Sequence, residues 1–315
     1  MSDSSLPARK NSHPRYHPLR DSSRPSAKVL RRFLRHPGAL AGSVILMIVL
    51  LAVVFGSFSP YSPDTSSILE RLQPPNWRHP LGTDGLGRDL LTRILFGGRV
   101  SLTVGVLVVA ITLLVGVTTG AVAGYTGGWI DNVLMRITDA ALTLPSLLVL
   151  ILISAILREV NLPLLQRNSV LTIAFVIGIL SWMTFARLVR AAFLTLREMD
   201  YVTAARGLGA SHLSVIISHI LPNAIGPIIV QSTLQLGYAI IEESGLSFLG
   251  FGIQPPTPSW GNLLSDAQDN FIHSPWLAIF PGVMIFLTII SVNYIGDGLR
   301  DAYDPYKFMG KIGEV

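Results

Sequence analysis

Six long stretches without a charged side chain constrain the fold of this chain more than any other feature. The uncharged stretches hold between 18 and 35 residues and separate Arg35 from Asp64, Arg99 from Asp131, Asp139 from Arg158, Arg167 from Arg187, Arg206 from Glu242, and Asp269 from Asp297. A membrane-spanning helix needs about 20 apolar residues, and a charge at its centre costs about 2.5–3.5 kcal/mol. We therefore predict six transmembrane helices, near 40–58, 101–123, 140–157, 170–188, 223–241 and 277–296.

The composition supports an all-α membrane protein. Charged residues make up 14% of the 315 residues and the mean hydropathy is +0.53, whereas a soluble domain carries about 25% charged residues. The net charge of +5 is modest, so a nucleic-acid partner is not expected. Cysteine is absent, which excludes disulfides, thiolate metal sites and cysteine nucleophiles.

A further uncharged stretch, 244–265, is not expected to cross the membrane. It holds three prolines and several glycines in a polar run, and such a backbone cannot satisfy its own hydrogen bonds in lipid. We expect an ordered loop with short helices there. The first span is expected to be an uncleaved anchor, because its basic leader is too long for a signal peptide and no Ala-x-Ala site follows it.

The distribution of Lys and Arg predicts that both termini are cytoplasmic. With the N-terminus inside, the inner segments hold 17 of these residues and the outer segments hold seven. Residues 1–27 have the composition of a disordered basic tail. Residues 28–36 fit a basic amphipathic helix on the inner leaflet, and also a simple positively charged flank. With the first span and an extracytoplasmic loop they form a 28–99 region, and 301–315 form a cytoplasmic tail.

The predicted extracytoplasmic loop ends in the sequence HPLGTDGLGRDLLTRILFGGR at 79–99. Thr83 or Asp84 could cap a helix that begins near Gly85. Asp84, Arg88 and Asp89 could serve a docking or gating element at the outer mouth, or pair locally in a capped interfacial helix. The acidic residues Glu242 and Glu243, at the outer end of the fifth span, are further candidates for an interfacial role.

Glycine and proline within the spans carry two predictions. Gly116, Gly120 and Gly124 form a row of small residues, which predicts close helix packing, although glycine is also merely tolerated in membrane helices. Pro145 and Pro281 should kink the third and sixth spans, because each removes a backbone donor.

The sequence lacks the motifs of an enzyme. There is no phosphate-binding loop, no HExxH and no G-x-S-x-G, and every lysine lies near a terminus. His212 and His219 lack further metal ligands, so polar packing or capping is expected of them. We predict no catalytic residue, no metal site and no cofactor bound by this chain. The uncharged span cores also disfavour an ion-coupled secondary transporter, which needs ionisable residues there.

The longest predicted inner loop, between the fourth and fifth spans, is the strongest functional candidate. Residues 198–206 have helix-forming composition, Gly207 and Gly209 should end that helix, and Ser211 should cap a second helix over 212–221 that ends at Pro222. A short helix with small residues on one face can insert into a groove of a partner protein, although a plain helical hairpin on the membrane surface has the same pattern.

This loop resembles the coupling motif of permease subunits of ABC importers. The motif consists of Glu-Ala-Ala, three residues, Gly, nine residues and Ile-x-Leu-Pro, and here the matching positions are 203–205, Gly209 and 219–222. Thr203 replaces the usual Glu and His219 replaces the usual Ile. Three further segments resemble the C-type subunit of the dipeptide, oligopeptide and nickel importer group. They are 79–99, ESGLSFLGFGIQPPTPSWGNLLSDA (243–267) and IGDGLRDAYDP (295–305).

The resemblance implies a six-helix type I importer permease with a core domain over 100–300 and a coupling loop over 189–222. It implies four partners besides lipid: a second homologous permease subunit, two cytoplasmic ATPases that bind ATP and Mg²⁺, and an extracytoplasmic binding protein. It also implies contact with the ATPases at Asp200, Tyr201, Thr203, Ala204, Ala205, Arg206, Gly209, Ser211, His219 and Pro222.

The translocation path is expected along the fifth span. Gln231, Gln235 and Tyr238 follow helical spacing, with Ser232 beside them. Hydrogen bonds between helices of two subunits would explain this row equally well. Peptides are the leading cargo because they dominate the resembling group, and nickel, glutathione, an opine or a sugar are alternatives. A membrane scaffold would explain the lack of catalytic residues but not the coupling loop.

Overall fold

The computed structural model describes residues 25–160 and 168–303. The predicted tail 1–27 falls almost wholly outside these residues, as does most of the predicted tail 301–315. The described chain is helical, and its one element of β-structure is an isolated bridge between Thr83 and Asp89. The helices are α1 (Pro25–Phe33), α2 (Pro37–Phe55), α3 (Leu90–Thr126), α4 (Gly128–Leu142), α5 (Ser146–Glu159), α6 (Ser169–Leu196), α7 (Asp200–Gly207), α8 (His212–Phe248), α9 (Trp260–Asp266) and α10 (Trp276–Tyr303).

Five helices are long and apolar enough to cross a membrane: α2, α3, α6, α8 and α10. They occupy five of the six predicted positions. The predicted third span, 140–157, covers most of α5 and only the last residues of α4, and these two helices meet at an angle of 88°, as in a broken span or a re-entrant loop. Pro145 stands at the break as the N-cap of α5, where its missing N–H costs no helical hydrogen bond.

The other proline lies within a helix and not at a break. Pro281 is buried inside α10, and that helix runs through it without interruption from Trp276 to Tyr303. As the sixth residue of α10, Pro281 removes the N–H that would otherwise donate to the carbonyl oxygen of Leu277, so one helical hydrogen bond is missing there. A kink at this position stays a prediction.

The row of glycines on α3 packs against α6 within the same chain. A Cβ atom added at Gly116 would lie 2.5 Å from the Cβ of Phe185, and one at Gly120 would lie 2.5 Å from the carbonyl oxygen of Ala186. One at Gly124 would lie 2.7 Å from the Cβ of Phe193. Only glycine allows this approach, which confirms the predicted close helix packing.

Two sets of loops lie at the two ends of the bundle. We call one of them the loop end, because it carries the loop between α6 and α8, residues 197–211, and the junction of α3 with α4. The opposite end carries residues 59–89 and 249–275. The uncharged 244–265 stretch is not a span: α8 continues to Phe248, an irregular loop follows, and α9 begins at Trp260 with a capping box formed by Ser259 and Asn262.

The amphipathic helix α1 lies against the last helix of the bundle. Arg32 donates from Nη1 to the carbonyl oxygen of Ala302 at 3.2 Å, and a Cβ atom added at Gly298 of α10 would lie 3.4 Å from the Phe33 ring. Leu30 and Leu34 remain exposed. The helix therefore has one side fixed to α10 and leaves apolar side chains exposed beside it.

Candidate functional site

The coupling loop has the predicted helix–turn–helix geometry. Its first helix, α7, begins at Asp200, and Gly209 follows the helix with a φ of +87°. Ala210 N donates to Ala205 O at 3.1 Å and Gly209 N donates to Arg206 O at 3.0 Å. This pair of hydrogen bonds is the Schellman arrangement, which satisfies carbonyl groups at the end of a helix and needs a left-handed residue.

Helix α7 has one buried side chain. Val202 is 0% exposed and belongs to an apolar cluster with Phe193, Val215 and Ile220. The other predicted contact residues of α7 are exposed (Asp200, Tyr201, Thr203, Ala204 and Arg206), apart from Ala205, which is partly buried. The helix therefore presents most of its surface to whatever lies beyond the loop end.

The second half of the loop corrects one prediction. Ser211 caps the next helix by accepting from Ser214 N at 3.3 Å, as expected. The helix does not end at Pro222, however. It continues as α8 to Phe248, through a π-helical segment over Val215–Ile220. Pro222 is accommodated because it lies in the first turn after the wider π segment, where its missing N–H is tolerated.

Helix α8 is continuous from the second half of the loop through the fifth span. The helix has 37 residues, which corresponds to a length of about 55 Å. His219 is part of the π segment, with Nδ1 3.5 Å from Ser214 O, and Asn223 donates to His219 O at 2.7 Å.

The four predicted path residues on α8 differ in their burial and in their contacts. Gln231 lines a cavity of about 460 Å³ with Leu188 of α6 and Arg300 of α10. Gln235 is buried and Tyr238 is exposed. Ser232 uses its hydroxyl within the helix, donating to Ile228 O at 2.7 Å.

At the opposite end, the buried side chains of Asp84, Arg88 and Arg93 form an ionic network with the partly exposed Asp266. Arg88 Nε donates to Asp84 Oδ2 at 2.7 Å, and Arg93 Nε lies 3.5 Å from the same oxygen. Asp266 of α9 lies 3.4 Å from Arg88 Nη2 and 3.5 Å from Arg93 Nη2. Burial raises the pKa of the Asp266 carboxyl, although Arg93 and Arg88 act to lower it. Asp84 and Arg88 are thus directed into this network.

The helix expected to begin near Gly85 begins instead at Leu90, so the predicted cap at Thr83 or Asp84 is wrong. Asp89 caps α3 by accepting from Thr92 N at 2.8 Å, and its other oxygen lies 2.9 Å from Nδ1 of the buried His79. Asp84 closes a turn instead, accepting from the N–H of Leu86 and of Arg88. Gly87, with a φ of +74°, makes this turn possible.

Glu243 and Glu242 differ in their burial and contacts. Glu243 is 0% exposed and accepts hydrogen bonds from Ser101 of α3 at 2.8 Å and from Ser247 at 2.7 Å. Glu242 is half-buried, and its Oε2 has no hydrogen-bond partner among the described residues. Glu243 therefore joins α8 to α3.

Several residues of this arrangement carried no signal in the sequence. Asp266 follows Arg88 by 178 residues and Ser101 precedes Glu243 by 142 residues, so neither pairing is visible as a local pattern. The same holds for Tyr125, which is hydrogen-bonded to His212 at 2.7 Å. Among the described residues, no group of three His, Cys, Asp or Glu side chains could hold a metal ion.

Comparison with known proteins identifies what this arrangement is similar to. Residues 116–307 match the family model described as binding-protein-dependent transport system inner membrane component. Residues 25–75 match the N-terminal transmembrane domain of oligopeptide transport permease C.

Two relatives match most of the chain. The dipeptide transport system permease protein DppC of Alkalihalophilus pseudofirmus is 42% identical over 284 residues, which is 89% of this chain and 90% of the relative. The glutathione transport system permease protein GsiD of Pectobacterium atrosepticum is 38% identical over 291 residues, covering 91% and 94%.

Proposed function

Since the chain belongs to the family of binding-protein-dependent transport system inner membrane components, we propose that it forms half of the pathway of an ATP-driven peptide importer. The chain is a multi-pass inner-membrane permease subunit of an ABC importer and works with an ATPase and other transport components. The proposal concerns its cargo, its partners and the way in which it is driven.

Peptides are the cargo that the relatives favour. One relative at 42% identity is named for dipeptide transport, and another at 38% is named for transport of glutathione, which is itself a short peptide. The described residues of the span cores offer few charged side chains, so we assign most of the selectivity to a separate binding protein outside the cell.

The complete importer would consist of this chain, a second homologous permease subunit, two ABC ATPases and the extracytoplasmic binding protein. The ATPases would bind ATP and Mg²⁺, and this chain would bind neither and hydrolyse nothing. Both termini and the loop end would lie in the cytoplasm. Gln231, Ser232, Gln235 and Tyr238 would lie on or beside the path.

The observation that carries this mechanism is the exposure of α7 on a single buried anchor, Val202. A helix presented in this way fits the helix-in-groove mode of binding, with an ATPase as the partner. Closure of the two ATPases on ATP would move α7, and α8 would carry the movement into the membrane because it is continuous with the loop.

Co-purification followed by reconstitution tests the proposal. The tagged chain, extracted gently from its own membrane, should recover a second six-span permease and P-loop ATPases in stoichiometric amounts. Proteoliposomes of that complex should take up a labelled dipeptide only with ATP and the binding protein. Recovery of the chain as an intact homo-oligomer without an ATPase would contradict the proposal.

A further inference from the structure

The last turn of α3 is contacted by three side chains from the region of the coupling loop. Tyr125 OH is hydrogen-bonded to Nδ1 of His212 at 2.7 Å, and the two rings meet edge to face with centroids 5.7 Å apart. The Arg206 guanidinium lies over the Tyr125 ring at 5.2 Å from its centroid. Arg197 Nη1 donates to Gly124 O at 2.9 Å.

The guanidinium groups of Arg197 and Arg206 are favourably placed at the C-terminal end of α3. The terminal carbonyl groups of α3 lack partners within the helix and carry partial negative charge, so a guanidinium is stabilised there. Gly127, with a φ of +65°, ends α3, and a Cβ atom at this position would lie 3.0 Å from Arg197 Nη1. Glycine therefore ends the helix and also leaves room for Arg197.

The chain itself does not connect α3 to the coupling loop. Helices α6 and α8 flank the loop directly, whereas Tyr125 and His212 are 87 residues apart in the sequence. The side-chain contacts at Tyr125 are thus a separate mechanical link from α7 and the start of α8 to a third membrane helix.

Helix α3 extends from this link to the opposite end of the bundle. It has 37 residues, or about 55 Å. Near its other end, Ser101 donates to Glu243 and Arg93 lies beside Asp266. One continuous helix therefore joins the coupling loop to the buried polar contacts at the far side.

We propose that Tyr125, Arg206 and His212 are positioning residues that fasten the coupling helix α7 to α3, so that α3 moves with α7 when the ATPases close. We call these three residues the α3 latch. The inference rests on the proposed function, since it assigns a role within ATP-driven coupling. It adds α3 to the two helices that the chain already connects to the loop.

Variants of the latch test the proposal in the complete importer. Tyr125→Phe removes the hydroxyl and keeps the ring under Arg206, and His212→Leu removes the ring nitrogens. His212→Asn places a hydrogen-bonding atom near the position of Nδ1 and should restore coupling. We expect Tyr125→Phe and His212→Leu each to raise the ATP hydrolysed per labelled dipeptide imported about fivefold, the factor that one net hydrogen bond corresponds to.

The double variant distinguishes a specific link from general damage. Tyr125→Phe with His212→Leu should be no worse than either single variant, because both remove the same bond. Tyr294→Phe on α10 is the matched control and should keep the wild-type ratio. Three results would overturn the proposal. They are a wild-type ratio of ATP hydrolysed to dipeptide imported in both single variants, additive losses in the double variant, and loss of ATPase binding in Tyr125→Phe.

A second measurement does not depend on the cargo. Because this chain lacks cysteine, Thr126→Cys and Gly207→Cys are its only labelling sites when the chain is spin-labelled before it is combined with the other subunits. The distance between them should be the same in the nucleotide-free and ATP-trapped importer, and should vary between these states once Tyr125→Phe is added. If the label-to-label distance changes between the two nucleotide states while Tyr125, Arg206 and His212 are all present, the inference is overturned, even if uptake confirms the proposed function. Absence of ATP-driven peptide uptake with a constant distance would contradict the proposed function alone.

Discussion

Arg190 of α6 and Asp131 of α4 form a two-point ion pair at the loop end of the bundle. Arg190 Nη2 donates to Asp131 Oδ2 at 2.6 Å, and Nε donates to the other carboxylate oxygen. Asp131 is buried, with 7% of its surface exposed. A planar guanidinium matches a carboxylate in this geometry, so the pair fixes the direction of α4 against α6.

Replacing Asp131 with Asn should destabilise the folded protein. The substitution leaves Arg190 without its charge partner, and the expected loss is about 1–3 kcal/mol, below the range for a fully buried pair because the Arg190 side chain is one-third exposed. Thermal denaturation in detergent, followed by size-exclusion chromatography, would show a lower midpoint. Asp139→Asn is the control: its pair with Arg187 is half exposed on both sides, so a loss below about 0.5 kcal/mol is expected.

Thr203→Arg should uncouple ATP hydrolysis from uptake. Thr203 is exposed on α7, and a bulky cation at this position would obstruct the proposed ATPase groove without disturbing Val202. Uptake into proteoliposomes should fall at least tenfold while the complex still hydrolyses ATP, a change that corresponds to about 1.4 kcal/mol. Thr203→Glu, which restores the residue usual in importer permeases, should retain uptake. Undiminished uptake by Thr203→Arg would reject docking through α7.

Gly209→Ala should impair coupling because of backbone geometry alone. The φ of Gly209 is +87°, and no atom lies within 4 Å of an added Cβ, so strain and not crowding sets the cost, about 1–2 kcal/mol. Gly207→Ala is a matched control, since it too has open space but lies in helix α7, where alanine is preferred. The ratio of ATP hydrolysed to peptide imported should rise for Gly209→Ala and stay unchanged for Gly207→Ala.

Gly120→Ala should lower the thermal stability of the protein, because there is no room for the added methyl group. The added Cβ would lie 2.5 Å from a backbone oxygen of α6, which cannot move aside as a flexible side chain can. The helices must separate, and overpacking of this kind costs about 1–3 kcal/mol. Gly282→Ala in α10 meets no atom within 4 Å and should leave the thermal midpoint unchanged or slightly higher. Equal midpoints for the two variants would contradict the role of the glycine row.

The positions of the membrane helices could be predicted because burying a charge in lipid is costly. Helices α2, α3, α6, α8 and α10 each overlap one of the uncharged stretches, and the prolines and glycines of 244–265 correctly exclude that stretch. The 88° bend at Pro145 is not predictable from the uncharged stretches. Helix α4 carries Asp131, Arg136 and Asp139, and it contacts α6 through the pair of Asp131 with Arg190, which is distant in the sequence.

The turn of the coupling loop was visible in the sequence because glycine and serine act locally there. Gly209 and Ser211 have their expected roles, whereas Pro222 was given too much weight as the end of a helix. A proline need not end a helix: Pro227 and Pro281 lie inside continuous helices, and Pro222 follows a π segment in a helix that continues to Phe248. The role of Tyr125 depends on packing over 87 residues, which no short pattern records.

The contact of α1 with α10 should allow circular permutation of the chain. Arg32 reaches the carbonyl of Ala302, and His36 lies 3.7 Å from Asp301, so the first and last described helices meet at the same end of the bundle. Because α1 has only nine residues, a short linker could join Tyr303 to Pro25, and the chain could be reopened elsewhere. The order of the helices along the chain would then change while their arrangement in space was preserved.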